Sequence, residues 1–237
     1  NKHRESFMDL EYKPFLEKAF SFWTHLLPSE QALILEKMQV LKYPKGALVH
    51  SAGNDCLGML LIKSGELRVY MVSDEGREIT LYRLVEGDVC VLSASCVLSS
   101  ITFDVYIDAE VDTVLFQMPS NVFADLAEKN IYVESFGYQI SAQRFSDVMW
   151  AMQQILFMSF DQRLAIFLTD ESIKTGSDTL LLTHEQVAKY MGSAREVVTR
   201  MLKYFAAEKI VALSRGAIQI VDKKKLRSLT ERSHIKH

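Results

Sequence analysis

Residues 183–208 read THEQVAKYMGSAREVVTRMLKYFAAE, and this stretch decides the fold of the C-terminal part of the chain. Thr183 and Ser193 each precede a Gln or a Glu by three residues, which is the spacing of a helix N-cap with a reciprocal capping box. Gly192 stands between the two predicted helices, where a sharp turn needs a positive φ. The pattern predicts two helices joined by a tight turn, a helix-turn-helix.

The second predicted helix has an apolar inner face and a polar outer face. Arginine can bond guanine O6 and N7 together, and glutamate can accept from cytosine N4. The alternative is a solvated face on which Glu196 pairs with Arg200 at i, i+4. Two caps and a glycine turn in register favour a helix that reads DNA in the major groove. The predicted DNA-binding residues are Ser193, Arg195, Glu196, Thr199, Arg200 and Lys203.

The segment MGSAREVVTRMLKYF, residues 191–205, resembles the recognition segment of the cyclic-AMP receptor protein/FNR family of regulators. Arg195, Glu196 and Arg200 fall on the three base-reading positions of the cyclic-AMP receptor protein branch. The resemblance extends from about residue 20 to residue 229. It implies a dimeric transcription regulator, not an enzyme, that binds double-stranded DNA at a palindrome with half-sites of the TGTGA type. It also implies contact with RNA polymerase if the protein activates transcription.

The family resemblance further implies an α+β fold in three parts. An N-terminal β-roll, a jelly roll like the cyclic-nucleotide-binding domain, is expected within an effector-sensing domain at residues 1–128. A dimerisation helix follows at 129–158, and a winged helix-turn-helix DNA-binding domain at 159–237. Short alternating segments broken by glycines support strands in the β-roll; they are residues 57–62, 67–72, 79–84, 105–109 and 114–118.

Several smaller features mark the ends of the predicted elements. Pro28 suits a helix start, and Asp161 is expected to cap a helix after a hinge at 158–161. Two short strands at 210–213 and 217–221 predict the wing. The basic tail that follows is either a phosphate contact or a solvated segment; its residues are Lys223, Lys224, Lys225 and Arg227.

Charge and composition fit this division. The chain has 27 Lys and Arg against 30 Asp and Glu, but residues 159–237 have 14 against 9 and the rest has 13 against 21. The basic part is therefore the part expected to meet phosphate. Three cysteines, an odd number, suit a reducing cytoplasm. An uninterrupted apolar run of 18 residues is lacking, so no membrane span is predicted.

Residues 132–157 predict a long helix with an apolar seam. The seam residues recur at steps of 7, 3, 4 and 3, as in a coiled coil. An ordinary core helix is the alternative, and the family resemblance favours a homodimer. The predicted dimerisation residues are Tyr138, Phe145, Val148, Met152 and Ile155.

The family places its effector between the β-roll and the long helix. In the cyclic-AMP branch an Arg-Ser pair holds the phosphate, whereas this chain has Phe103 and Asp104 there, and 91–94 replaces a Gly-Glu pair. We therefore expect a small effector that is not a cyclic nucleotide. The first cysteine is Cys56, so an iron–sulfur cluster on an N-terminal cysteine set is not expected.

The predicted effector site combines a hydroxyl-rich loop with an aromatic segment of the long helix. Two alternatives stay open: a redox or haem sensor that uses Cys90 and Cys96, and a small-molecule module without DNA function. A further alternative is that these residues only fill the interior of the barrel and bind no ligand. We found no metal site or catalytic motif. The predicted effector-binding residues are Ser93, Ser95, Cys96, Thr102, Phe103, Phe136 and Tyr138.

Overall fold

A computed structural model describes residues 12–51, 57–90 and 105–230 of the 237-residue chain. The described residues form two compact units. The first holds those up to Met71 together with Leu81–Val148, and the second holds Val72–Thr80 and those from Met149 onward. The predicted domain boundaries at 128 and 158 stay a prediction.

The first unit begins with short helices. Helix α1 spans Lys13–Ala19, a 3-10 turn covers Trp23–His25, and α2 spans Pro28–Lys37. Pro28 occupies the first turn of α2, where its missing N–H costs nothing. The Leu27 N–H donates to the Glu30 carboxylate at 2.7 Å, which satisfies one of the backbone donors at this helix start.

Two four-stranded sheets form the predicted β-roll. One has the order β1-β8-β3-β6, and the other has the order β2-β7-β4-β5. The apolar side chains between them, among them Leu60, Ile62, Val69 and Ile107, are buried. The strands are β1 Gln39–Tyr43, β2 Leu48–His50, β3 Met59–Ser64, β4 Glu66–Val72, β5 Glu78–Val85, β6 Val89–Cys90, β7 Tyr106–Ala109 and β8 Thr113–Met118.

The β-roll is followed by two helices. Helix α3 spans Ser120–Lys129, and the 27-residue helix α4 spans Ile131–Phe157. The division between the two units falls inside α4, between Val148 and Met149. The long helix expected at residues 132–157 is therefore confirmed.

The second unit contains the expected winged helix. Its sheet has the order β10-β11-β9, with β10 and β11 joined as the predicted hairpin. Its core includes Leu164, Val187, Leu202 and Phe205, all fully buried. The elements are α5 Phe160–Thr175, β9 Thr179–Leu180, α6 His184–Met191, α7 Arg195–Ala207, β10 Val211–Ser214, β11 Ala217–Ile220 and α8 Lys223–Thr230.

Two local predictions differ from the structure. Ser159, rather than Asp161, is the N-cap of α5, and its N–H donates to Gln162 Oε1 at 3.1 Å. The N-cap of α7 is Ala194 instead of Ser193, without a side-chain cap. The Ser193 N–H donates to the Ala188 carbonyl at 3.0 Å and closes α6, so Ser193 belongs to the turn.

The basic tail forms a helix, α8, that the sequence did not predict. Leu226 and Leu229 are buried one turn apart, and α8 packs against α5. Asp222 accepts from the Lys225 N–H at 2.9 Å at the start of this helix. Lys223 pairs with Asp178 at 2.7 Å, so part of the tail serves the fold itself.

Candidate nucleic-acid interface

The turn between α6 and α7 is built by a cap and a glycine. The Gln186 N–H donates to Thr183 Oγ1 at 3.2 Å, and the Thr183 N–H donates to Gln186 Oε1 at 2.8 Å. The predicted capping box at the start of α6 is therefore confirmed. Gly192 has φ 58° and ψ 43°, the left-handed conformation that ends α6.

Arg77, also in the second unit, closes the carbonyl end of α6. Its Nε and Nη2 donate to the Gly192 carbonyl oxygen at 3.0 and 2.6 Å. A guanidinium is favourable there because the C-terminal end of a helix carries partial negative charge. A Cβ at position 192 would lie 3.0 Å from the Glu78 carbonyl oxygen, so the tight space as well as the positive φ favours glycine.

Helix α7 has the two faces that the sequence predicts. Val198, Leu202 and Phe205 are fully buried in the core of the second unit. The side chains of Arg195, Glu196, Arg200 and Lys203 are exposed, and Thr199 is half-buried among them. This exposed face is the candidate nucleic-acid interface. Ser193 lies beside it, in the turn that precedes α7.

The ion pair that the alternative interpretation of this face used is absent from the described part of the structure. Among the described residues, neither Glu196 nor Arg200 has an ion pair or a side-chain hydrogen bond, so the i, i+4 pair is not formed. Arg195 lies 3.8 Å from Glu185, and both side chains are largely exposed. Such exposed pairs contribute little to stability. Arg195 and Arg200 are therefore available for a phosphate or a base.

One residue at this face was not identified from the sequence. His184 is the first residue of α6, and its Nδ1 lies 3.0 Å from Thr199 Oγ1 on α7. Burial, followed by the charges of Arg195 and Lys203, lowers the pKa of His184. No short-range pattern indicates this contact, since the two residues are 15 positions apart and belong to different helices.

Helix α4 exposes an apolar stripe. Of the predicted dimerisation residues, Tyr138 is 66% exposed, Phe145 67%, Met152 46% and Ile155 41%. Val148 differs, because it is half-buried and packs against the β-roll core. Exposed large apolar side chains in such a row are typical of an interaction surface. Met149, Trp150, Leu156 and Phe157 on the same helix are also exposed.

The predicted effector residues are only partly covered by the described ranges. Phe136 is buried, with its ring 5.0 Å from Phe22 and 5.9 Å from Phe20. Tyr138 is exposed, so these two aromatic residues do not line one surface. Phe136 thus has a packing role, and the effector site stays a prediction. Five predicted residues lie outside the described ranges: Ser93, Ser95, Cys96, Thr102 and Phe103.

A buried polar cluster joins α4 to the β-roll within the first unit. Arg144, which is 8% exposed, lies with its Nη1 2.8 Å from Asp147 and its Nη2 3.7 Å from Asp88. Its guanidinium carbon is 5.2 Å from the centre of the Tyr82 ring, and Tyr82 lies beside buried Cys90. Arg144 and Tyr82 were not identified from the sequence. Cys96, the partner proposed for a redox sensor, lies outside the described ranges.

Among residues 12–51, 57–90 and 105–230, no group of three or more His, Cys, Asp or Glu is placed to hold a metal ion. The helices within the same ranges are too short or too polar to cross a membrane.

Comparison with known protein families agrees with this geometry. Residues 162–229 match the Crp-like helix-turn-helix domain, and residues 40–130 match the cyclic nucleotide-binding domain. The first match contains the candidate nucleic-acid interface, and the second contains both β-roll sheets except the first residue of β1.

Individual proteins are similar over most of the chain. A solved structure from Eubacterium rectale, of a protein assigned to the Crp/Fnr family of transcriptional regulators, is 45% identical, with a TM-score of 0.85 over 90% of this chain and 98% of that one. The cyclic AMP receptor protein of Thermus thermophilus is 24% identical over 82% of this chain and 89% of its own. Electron transport regulator A of Shewanella oneidensis is 22% identical over 85% and 82%.

Proposed function

This chain belongs to the Crp/Fnr family of DNA-binding transcription regulators, and from that premise we propose that it binds a palindromic operator as a homodimer and reads bases with α7. Regulators of this family bind DNA and act as dimers. The observation that carries the proposal is the exposed face of α7, where Arg195, Glu196 and Arg200 stand at the helix N-terminus and one turn on.

The geometry of α7 suits entry into the major groove. A recognition helix contacts base edges with its N-terminal residues, while a buried face fixes it to the domain. Here Arg195 is the first residue of α7, and Val198 and Leu202 hold the opposite face in the core. Arg200 is the proposed guanine contact, Glu196 the proposed cytosine contact, and Lys203 a proposed phosphate contact.

Selection of duplexes from a random oligonucleotide pool tests this function. We expect a palindrome with half-sites of the TGTGA type, one DNA turn of about 34 Å apart. Binding should weaken steeply as salt rises, because phosphate contacts release counterions. A pool that yields no preferred sequence at low or high salt contradicts the proposal.

The dimer is proposed to form through the exposed stripe of α4. Tyr138, Phe145, Met152 and Ile155 recur on this stripe with coiled-coil spacing, and burial against a second copy would remove them from water. A twofold operator also requires two recognition helices at a fixed spacing. Two copies of one chain supply them by symmetry.

The effector is proposed to be a small molecule other than a cyclic nucleotide. The match to a cyclic nucleotide-binding domain supports the shared fold. Phe103 and Asp104 stand where the cyclic-AMP branch has its Arg-Ser pair. They argue against a cyclic nucleotide, because a carboxylate repels a phosphate. Calorimetric titration with cyclic AMP and cyclic GMP should give no binding; tight binding of either contradicts this part.

A thermal-shift screen of small metabolites tests whether an effector site exists. A ligand that binds the folded state raises the melting temperature by mass action. The same ligand should have less effect on the Phe103→Ala variant. If the metabolites leave the melting temperature unchanged, filling of the barrel explains the predicted residues better.

The remaining partners follow from the DNA function. A regulator must reach the chromosome, so we place the protein in the cytoplasm. If it activates transcription, RNA polymerase is its expected partner. Effector binding would shift the population between two arrangements of the recognition helices.

A further inference from the structure

His184 connects the two helices of the helix-turn-helix. It stands at the first position of α6, directly after the Thr183 cap, and its Nδ1 lies 3.0 Å from Thr199 Oγ1. Thr199 lies on the exposed face of α7, one turn after Arg195. The imidazole is therefore half-buried at the edge of the surface that is proposed to meet DNA.

Positive charge surrounds His184 in the protein without DNA. Arg195 and Lys203, both on α7, disfavour the imidazolium, and burial is the largest cause of its lowered pKa. The start of a helix also disfavours a cation, because the N-terminal end of the helix dipole is positive. The pKa of His184 in the protein without DNA is therefore lower than its ordinary value of 6.5.

The other charges around α6 do not offset this effect. Glu185 is next to His184 on α6, and its carboxylate lies 3.8 Å from Arg195. Helix α5 also packs against α6, but its charged residues are not among the causes of the shift. Those residues are Asp161, Arg163, Asp170, Glu171 and Lys174.

Bound DNA would change the charges around His184 from ones that disfavour the imidazolium to ones that favour it. Phosphates that pair with Arg195 and Lys203 neutralise the two cations that disfavour the imidazolium. A phosphate near His184 also adds a direct attraction for a proton on the ring. A proton on both ring nitrogens lets Nδ1 donate to Thr199 Oγ1 while Nε2 donates to an oxygen of the DNA backbone.

We propose that His184 contacts a DNA backbone phosphate as an imidazolium and takes up its proton when the operator binds, so that operator affinity rises as pH falls. This inference rests on the proposed function, since it needs α7 to lie on DNA. In this proposal His184 positions Thr199 and also makes operator affinity depend on pH.

The direction of the pH effect follows from linkage. The bound state holds the proton more tightly than the free protein does, so the gain in affinity is complete below the pKa of the free protein. The gain is lost as pH rises through the pKa of the complex. Since one pKa unit is a tenfold change in an equilibrium constant, we expect an affinity about three to ten times higher at pH 6 than at pH 8.

The experiment uses the full-length chain and the duplex that it selects from a random pool. Operator affinity is measured at pH 6 and pH 8, over a series of salt concentrations, for wild type, His184→Gln and His184→Arg. His184→Gln should lose the pH dependence, and His184→Arg should keep high affinity at both pH values. At pH 6 the salt slope of wild type should exceed that of His184→Gln by about 0.9, the value of one phosphate contact.

A matched control and a direct measurement complete the test. His25→Gln alters a histidine of the first unit that stacks on Tyr132, and it should keep the wild-type pH dependence. Proton NMR of the His184 ring should show its pKa rising when the duplex is added, which needs no variant to fold. An unchanged pKa on DNA, or a His184→Gln variant with the wild-type pH dependence, overturns the inference. A protein that binds no duplex at either pH overturns the proposed function, and this inference with it.

Discussion

The guanidinium carbon of Arg144 lies 5.2 Å from the centre of the Tyr82 ring, where the long helix meets the β-roll in the first unit. The aromatic face attracts the cation. Asp147 accepts a hydrogen bond from Arg144 Nη1, and Asp88 forms an ion pair with Nη2 at 3.7 Å. The Tyr82 hydroxyl is also buried, beside Cys90. Helix α4 is therefore fixed to the β-roll by a polar cluster as well as by apolar packing.

Burial of Tyr82 should make the stability of the protein depend on alkaline pH. Burial, reinforced by Cys90, raises the pKa of the phenol far above its ordinary value of 10, so the folded state keeps the proton that the unfolded state loses. The free energy of unfolding should fall above pH 10 by about 1.4 kcal/mol per pH unit from this group. Denaturant titrations of wild type and Tyr82→Phe at pH 9 to 11 measure how the free energy of unfolding changes with pH.

The control Tyr132→Phe changes an exposed tyrosine and should keep the wild-type dependence on pH. If Tyr82→Phe also keeps the wild-type dependence, the prediction is refuted.

Arg200→Ala should weaken operator binding by about 1–3 kcal/mol and relax discrimination at one G·C pair. The reason is that a bidentate arginine reads guanine, and Arg200 is exposed without a partner among the described residues. Affinity for single-base operator variants measures both effects. Arg227→Ala removes the same charge from α8 and should leave base preference unchanged. A loss that is equal for every sequence would mean that Arg200 contacts phosphate.

Phe145→Glu should separate the dimer into monomers. Phe145 is 67% exposed in the single chain, and a carboxylate on the α4 stripe would be buried without a partner in a dimer. Light scattering coupled to size exclusion gives the mass of each form. Gln143→Glu adds the same charge at an exposed polar position of α4, and it should stay dimeric. A dimeric Phe145→Glu protein would place the interface elsewhere.

Gly192→Ala should destabilise the second unit more than Gly216→Ala does. Both glycines have positive φ, which costs an alanine about 1–2 kcal/mol. A Cβ at position 192 would also lie 3.0 Å from the Glu78 carbonyl oxygen, whereas the space around Gly216 is open. Thermal unfolding of both variants compares the two costs. Equal melting temperatures would mean that backbone strain alone accounts for the loss of stability in both variants.

Sequence patterns predicted the elements with strong local signals. The Thr183 cap, the Gly192 turn and the burial of Val198, Leu202 and Phe205 all follow from short-range spacing. Strands β1, β2 and β6 were not predicted. Each lies at the edge of its sheet, and a short strand with one neighbour carries a weak pattern.

The cap at Ser193 shows the limit of such local reasoning. Its spacing to Glu196 fits a capping box, yet the Ser193 N–H closes α6 and α7 begins two residues later. Helix α8 was not predicted because it lacks such a local pattern. Its sequence is strongly basic, and only packing against α5 makes Leu226 and Leu229 a buried pair.

The sequence by itself determined that this protein has a winged helix-turn-helix, a strand-rich domain and a long helix, because caps, glycine turns and apolar periods act over a few residues. Only the tertiary structure decided that His184 meets Thr199, that Arg144 packs on Tyr82, and that Val148 turns to the core while Phe145 stays exposed. The two contacts join residues from different elements, and the burial of Val148 against the exposure of Phe145 distinguishes two sides of one helix. Their geometry depends on how the elements pack, which no local pattern records.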